Sequence, residues 1–226
     1  MAGKKQSRGT CAYCGAEIAV RGMAKHLAAC SKRHLAMEIG GVLKGLPETM
    51  YHLHVKDAYR SEYWLDLEMA GSRRLKDLDK YLRAIWLECC GHLSQFTTGG
   101  WQGRKIAMVR RIDEVFGPGI ELTHIYDFGT SSLTQIKVVG TREGAPTTNR
   151  PIALMARNLM PVDECIECGR PATQVCMECL IEEDTWGTLC DEHARTHPHE
   201  DYGTLPLVNS PRVGVCGYEG PAEPPY

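Results

Sequence analysis

The spacing Cys165-x2-Cys168-x7-Cys176-x2-Cys179-x10-Cys190-x2-His193-x3-His197-x1-His199 puts five cysteines and three histidines into one short stretch. Thiolate and imidazole are ligands that zinc prefers, four to an ion in a tetrahedron. Eight such groups satisfy two ions, whereas one ion would leave four soft ligands idle. Near the N-terminus, Cys11-x2-Cys14-x11-His26-x3-Cys30 supplies four more. It offers a tight knuckle, then two residues four apart that share one face of a helix. Ala19, Met23 and Leu27 repeat at that same spacing and are expected to cover the site. Three zinc ions are therefore expected, all structural. H-E-x-x-H and the H-x-E with P-C-x-x-C of deaminases do not occur. An open, catalytic position would require His197 or His199 to stand free. The histidines add metal affinity but nothing to disulfide exchange, which argues against an oxidation sensor.

The rest of the chain sets the context. Of 226 residues, 43% are hydrophobic and 24% charged, ordinary values for a soluble globular protein. No apolar run approaches the roughly 20 residues of a membrane helix. The basic start, MAGKKQSRGTC, has no apolar segment behind it. A cytoplasmic protein without membrane contact is expected, and in a reducing compartment clustered C-x-x-C pairs bind metal. Cys89, Cys90 and Cys216 fall outside both clusters and receive no metal. Charge is uneven: residues 1–34 carry seven Lys/Arg and one acid, whereas residues 161–226 carry three and thirteen. Such a split suggests modules with different partners.

Between the clusters, MYHLHVKDA (50–58) and EYWLDLEM (62–69) alternate apolar and polar residues and read as half-buried strands. SRRLKDLDKYLRAIWLECC places Leu75, Leu78, Leu82, Ile85 and Cys89 at helical spacing, with Ser72 as expected N-cap. GHLSQFTT, residues 120–128, 133–140 and 151–158 read as further strands. The expected class is α+β: a mainly antiparallel sheet with a long packed helix, plus two small zinc-stabilised modules. The segments are a zinc finger (1–34), a central domain (48–160), a two-zinc module (161–203) and a Pro/Gly-rich tail (204–226). His52, His54, His92, His124 and Asp127 are candidates for acid–base or metal work, but His52 and His54 read as outward-facing. Asp127 before Phe128-Gly129 suits a turn in which its carboxylate accepts backbone N–H groups. No phosphate-binding glycine motif is present.

Three resemblances follow. The N-terminal cluster resembles single C2HC fingers of the ββα type. The order of the C-terminal pairs resembles B-box-like, cross-braced modules. That analogy puts Cys165, Cys168, Cys190 and His193 on one ion, and Cys176, Cys179, His197 and His199 on the other; the sequential alternative groups the four early cysteines. Over residues 48–158 the chain resembles the Ri-plasmid ORF-three-like, or resolvase-like, family. The carrying residues are Leu75, Asp77 and Leu78; Gly91, His92, Leu93 and Phe96; and Tyr126, Asp127, Phe128 and Gly129. Thr130 and Ser132 stand where the family pattern has an acid and a tryptophan. This resemblance implies a fold but no mechanism.

Arg21, Lys25, Lys32 and Arg33 are candidate phosphate contacts, helped by Lys4, Lys5 and Arg8. One finger reads about 3 base pairs, so such contact would be weak and backbone-directed. The C-terminal module stays acidic with metal bound, because a Cys3His site adds about −1 and a Cys2His2 site about 0. It should repel phosphate and suit a protein partner. The expected function is a non-enzymatic zinc-binding adaptor, contacting nucleic acid through the finger and protein through the acidic module. The alternatives are a protein-interaction module with purely structural zincs, or an enzyme with its site in the central domain.

Overall fold

The computed structural model describes residues 7–43, 46–199 and 201–225. The N-terminal knuckle folds as a hairpin, β1 (Arg8–Cys11) and β2 (Glu17–Ala19), followed by α1 (Val20–Ala29) and α2 (Ser31–Leu43). The central region opens with the hairpin of β3 (Glu48–Asp57) and β4 (Trp64–Ala70). Its turn is fixed by Asp57, whose carboxylate accepts the N–H groups of Tyr59 and Arg60 at 3.0 and 2.6 Å, the short-range bonding that suits aspartate to turns.

Helix α3 (Leu75–Leu82) runs on into a π-helical turn, Arg83–Leu87. Ser72 does not cap it: the helix starts three residues later. Arg74 takes the N-cap position, and its N–H is received by the Asp77 carboxylate at 3.1 Å. Then follow β5 (Ser94–Thr98), β6 (Arg104–Ile106), the one-turn α4 (Ile112–Val115), β7 (Glu121–Tyr126), β8 (Ser132–Gly144) and β9 (Ile152–Asn158). The C-terminal module holds β10 (Gln174–Cys176), α5 (Met177–Glu182), β11 (Thr188–Leu189) and β12 (Thr204–Pro206).

Two sheets result. The large one has nine strands in the order β2-β1-β9-β4-β3-β8-β7-β5-β6, and the small one runs β11-β10-β12. Every pairing in both is antiparallel. The expected α+β class, a large antiparallel sheet with a packed helix and small Cys/His-rich modules, is the class observed. On one face of the large sheet, Leu75, Leu78, Leu82, Ile85 and Trp86 pack on Leu53, Val55, Leu65 and Leu67.

The other face explains a departure from the alternation pattern. All seven residues of β4 are buried, although the sequence pattern predicts a half-exposed strand. The cover is the finger. Met23 and Leu27 of α1 pack on Trp64, together with Met155 and Ala156. The hairpin also continues the sheet, because β1 pairs with β9 from Gly9↔Asn158 to Cys11↔Ala156. A Cβ on Gly9 would lie 2.3 Å from the Arg157 carbonyl oxygen and 2.4 Å from the Trp64 ring, so this close approach needs glycine. Among the described residues, no helix is long and apolar enough to cross a membrane.

Candidate metal centres

Zinc bound at about 2.3 Å to sulfur and about 2.0–2.1 Å to nitrogen gives tetrahedral edges of about 3.8 Å (S···S) and about 3.6 Å (S···N). Those lengths test each cluster. Cys11 ends β1, Cys14 sits in the knuckle, His26 lies on α1 and Cys30 follows it. Their four ligand atoms fall within 4.8 Å of one another, with Cys14 Sγ 3.3 Å from His26 Nε2. The knuckle is closed by Cys11 N–H to Ala16 and Gly15 N–H to Cys11, both at 2.9 Å. Met23 and Leu27 are buried beside Cys11 and Cys30 as expected, whereas Ala19 ends β2 before the helix begins and is only half-buried.

The C-terminal ligands converge in the interleaved arrangement. Cys165 Sγ and Cys190 Sγ stand 3.4 and 3.5 Å from His193 Nδ1, and Cys168 Sγ is 3.9 Å from Cys190 Sγ. Cys179 Sγ lies 3.2 Å from both His197 Nε2 and His199 Nδ1, and Cys176 Sγ is 3.7 Å from the latter. Strand register is the reason. Gln174 pairs with Leu189 and Val175 with Thr188, so Cys176 and Cys190 leave opposite ends of one ladder. Three rungs separate them, or about 10 Å at about 3.3 Å per residue, too far to share an ion.

The surroundings of these ligands suit metal. His197 turns its second nitrogen to Glu167 at 3.3 Å, and His199 turns its own to Glu183 at 3.4 Å. A carboxylate behind a ligating imidazole fixes its tautomer and orientation. Both histidines are therefore held with their free nitrogens toward the sulfurs. Arg170 donates to Cys168 Sγ and Cys190 Sγ at 3.3 and 3.6 Å, offsetting thiolate charge. Burial opposes a thiolate at Cys165, but the backbone N–H groups of Cys190, Glu167 and Cys168 outweigh it and bring the thiol down to about 6. Thiolate is the ligating form.

A fourth set also converges: Cys89, Cys90, His92 and Cys216 place their ligand atoms within the same 4.8 Å limit. None of the four belongs to the twelve expected ligands, and of them the sequence singles out His92 alone as a candidate for acid–base or metal work. All eleven cysteines are unpaired.

The candidate phosphate contacts divide. Arg21, Lys25 and Lys32 are exposed, whereas Arg33 is buried. Arg33 donates to Glu68 at 2.8 Å and to the Leu27 carbonyl at 3.1 Å, and Arg142 clamps the same carboxylate through two bonds, at 2.9 and 2.6 Å. Arg33 is thus an internal tie between the finger and β4, not a phosphate contact. Lys4 and Lys5 lie outside the described residues.

The acid–base candidates have local partners. His52 and His54, expected to face outward, both reach the buried Asp66, at 2.7 and 3.2 Å. His124 is fully buried, with Nε2 2.8 Å from Asp79, which also receives the Ser94 hydroxyl at 2.5 Å. Asp127 accepts the Gly129 N–H at 2.9 Å, the expected turn, and pairs with Arg212 at 2.6 Å.

Comparison with known proteins adds little. No family model and no curated protein matches the chain. A solved structure, a protein of unknown function, MM3350, from Methanosarcina mazei Go1, overlaps 46% of this chain and 66% of its own at 17% identity, with a TM-score of 0.40. The chain thus spans slightly less than two thirds of that protein, and the likeness is too slight to bear on fold or function.

Proposed function

We propose that this chain is a non-enzymatic, zinc-binding adaptor of the cytoplasm, with zinc as the metal of its finger and of its two-centre C-terminal module. The finger contacts nucleic-acid backbone weakly, and the acidic module contacts protein. The observation that carries this reading is the polarity of its metal-clustered ends. Arg21 and Lys25 stand four apart on α1 and are exposed, with exposed Lys32 opening α2. Residues 161–226, by contrast, hold thirteen acids against three bases. A basic finger draws phosphate, and an acidic module repels it. Between them, the central sheet is read as an Ri-plasmid ORF-three-like domain that holds the two ends on one body. In support, the L-x-D-L segment opens α3 and the Y-D-F-G segment closes β7.

Binding of zinc-loaded protein to duplex and single-stranded oligonucleotides, followed against salt, tests the proposal. Replacing Arg21, Lys25 and Lys32 with alanine should flatten the dependence of log K on log salt by roughly 2.7 on duplex, about 0.9 for each phosphate that these side chains neutralise. Absence of salt-dependent binding, or an unchanged slope in the triple variant, would overturn the nucleic-acid half and favour a protein-interaction module with purely structural zincs.

A further inference from the structure

Cys89, Cys90 and His92 lie just beyond the π-helical turn, and Cys216 lies in the Pro/Gly-rich tail. Cys90 and Cys216 are 126 residues apart in sequence, yet their sulfurs are 3.8 Å apart. His92 Nε2 is 3.3 Å from Cys216 Sγ. The first distance equals the S···S edge of a zinc tetrahedron, about 3.8 Å, and the second is close to the S···N edge, about 3.6 Å. The sulfur separation is nearly twice the bond of a disulfide, about 2.05 Å. Separations of the same size recur in the C-terminal module, at 3.9 Å for Cys168 and Cys190 and 3.4 Å for Cys165 and His193.

The backbone is bent to produce this convergence. Gly91, between Cys90 and His92, has φ +75°, so the chain reverses between the two ligands. Cys216 itself has φ +53° and is followed by Gly217 at φ +66°. A non-glycine residue in this region is uncommon, and such conformations concentrate at functional sites.

The tail preceding Cys216 is anchored on both sides. Arg212 is fully buried and pairs with Asp127 at 2.6 Å. The same guanidinium donates to the Thr130 carbonyl at 2.6 Å and stands 3.5 Å from Cys89 Sγ. This repeats the placement of Arg170 on the sulfurs of Cys168 and Cys190, a cation offsetting thiolate charge. Ser210 donates to the Trp86 carbonyl at 2.6 Å. On its other side the tail meets the C-terminal module. A Cβ on Gly214 would lie 3.0 Å from Leu180 and 3.2 Å from Trp186, so the tail runs close against that module. Cys216 therefore lies on a strap between the central sheet and the acidic module, and beyond it the tail is held again where Arg157 donates to the Ala222 carbonyl at 2.6 Å.

We propose that Cys89, Cys90, His92 and Cys216 form a fourth metal site, for zinc or another thiolate-seeking divalent ion, that latches the C-terminal tail onto the central domain. Three thiolates and one imidazole are a common structural zinc set. The latch holds the acidic module in place, because the strap it fixes touches Leu180 and Trp186. It is also the most open of the four clusters. None of its ligands is buried, whereas each of the other three contains two that are. Its ion is thus the first to exchange with solvent chelators.

The test is metal content of the full chain, purified with zinc and measured by elemental analysis beside protein concentration. Cys216→Ser and His92→Ala should each lower the content by one ion per chain relative to the unchanged protein. Limited trypsin digestion supplies the second measurement. Cleavage after Arg212, protected in the metal-loaded chain, should become rapid in Cys216→Ser. Equal metal content in the parent and both variants overturns the site, as does a Cys90–Cys216 disulfide found by mass in freshly purified protein. Unchanged trypsin protection in Cys216→Ser overturns the latch. None of these readouts involves nucleic acid, so they stand or fall apart from the proposed function.

Discussion

Trp64 decides whether the finger is a separate bead or part of the domain. Its ring is fully buried between α1 and the sheet, touching Met23, Leu27, Met155 and Ala156. Its indole N–H donates to the Ser7 hydroxyl at 2.9 Å. An aromatic side chain buries about 150–250 Å², which at about 25 cal/mol per Å² is roughly 4–6 kcal/mol. Measured Trp→Ala losses of about 3–5 kcal/mol agree. We take about 4 kcal/mol for Trp64→Ala, near a thousandfold in the folding equilibrium. With a urea slope of about 2 kcal/mol/M, the unfolding midpoint should fall by about 2 M. Trp64→Phe keeps a ring, so a substantially smaller loss is expected, including about 1 kcal/mol for the hydrogen bond. The same Trp64→Ala change should speed release of the finger's metal to a chelator, because Met23 and Leu27 cover both Trp64 and the ligands. A loss below about 1 kcal/mol, or unchanged release of that metal, would refute the integration of the finger into the sheet.

Three further outcomes follow from other contacts. Glu68→Gln should cost about 3–5 kcal/mol, because it breaks a buried pair and leaves Arg33 and Arg142 uncompensated. Burial alone would raise the Glu68 carboxyl, but the bonds and charge of Arg142, then of Arg33, hold it below its ordinary value. Its stabilising contribution is therefore complete above the unfolded value, about 4.3, and is lost as pH falls through the folded one. The stability gap between parent and variant should be flat from neutral pH down to about 5 and narrow only below that, as followed by denaturant unfolding at each pH. Arg170→Ala should weaken the Cys165/Cys168/Cys190/His193 centre about 10–100-fold in chelator competition and leave the neighbouring centre unchanged. Complete metal removal should abolish amide-exchange protection in β10, β11 and β12 while protection persists where β1 pairs with β9.

The Cys/His clusters are legible in the sequence because a tetrahedral thiolate–imidazole site would fix both the residue types and, through knuckles and helix turns, their spacing. Cys11 to Cys30 and Cys165 to His199 each lie within one local stretch, so convergence needed no knowledge of the fold. The fourth cluster was not legible, since Cys216 reaches Cys90 only once the whole sheet is built and the tail folds back over it. Arg33 departs from the charge-based expectation for a related reason. Its partner Glu68 stands on the face of β4 that alternation marks as outward, and charge count alone makes any lysine or arginine near a finger a phosphate candidate. One signal did exist: Trp64 shares that face with Asp66 and Glu68. A tryptophan there is costly to leave in water and points to a cover that the strand pattern does not supply. Ser72 failed as a cap because the chain first makes the turn closed by Arg73 N–H on Ala70 O, which delays the helix to Leu75.

The metal clusters differ in how much of their segment they must support, and that difference comes from packing. In the C-terminal module the buried cluster is Cys165, Cys176, Cys179, Cys190 and Leu189. Four of its five members are ligands, so little apolar area remains there once metal is taken away. A segment this short cannot bury enough surface to fold without such a staple. The finger is placed otherwise. Its ligands Cys11 and Cys30 share a cluster with Trp64, Met155 and Ala156 of the sheet, and its hairpin draws ladder bonds from β9. Metal bound there would orient a segment that the domain already holds through Trp64 and the β1–β9 ladder. The acidic module, whose buried cluster is mostly ligand sulfur, should depend on metal for its folding, and both the strap at Gly214 and the Arg60 guanidinium over Trp186 tie it to the sheet.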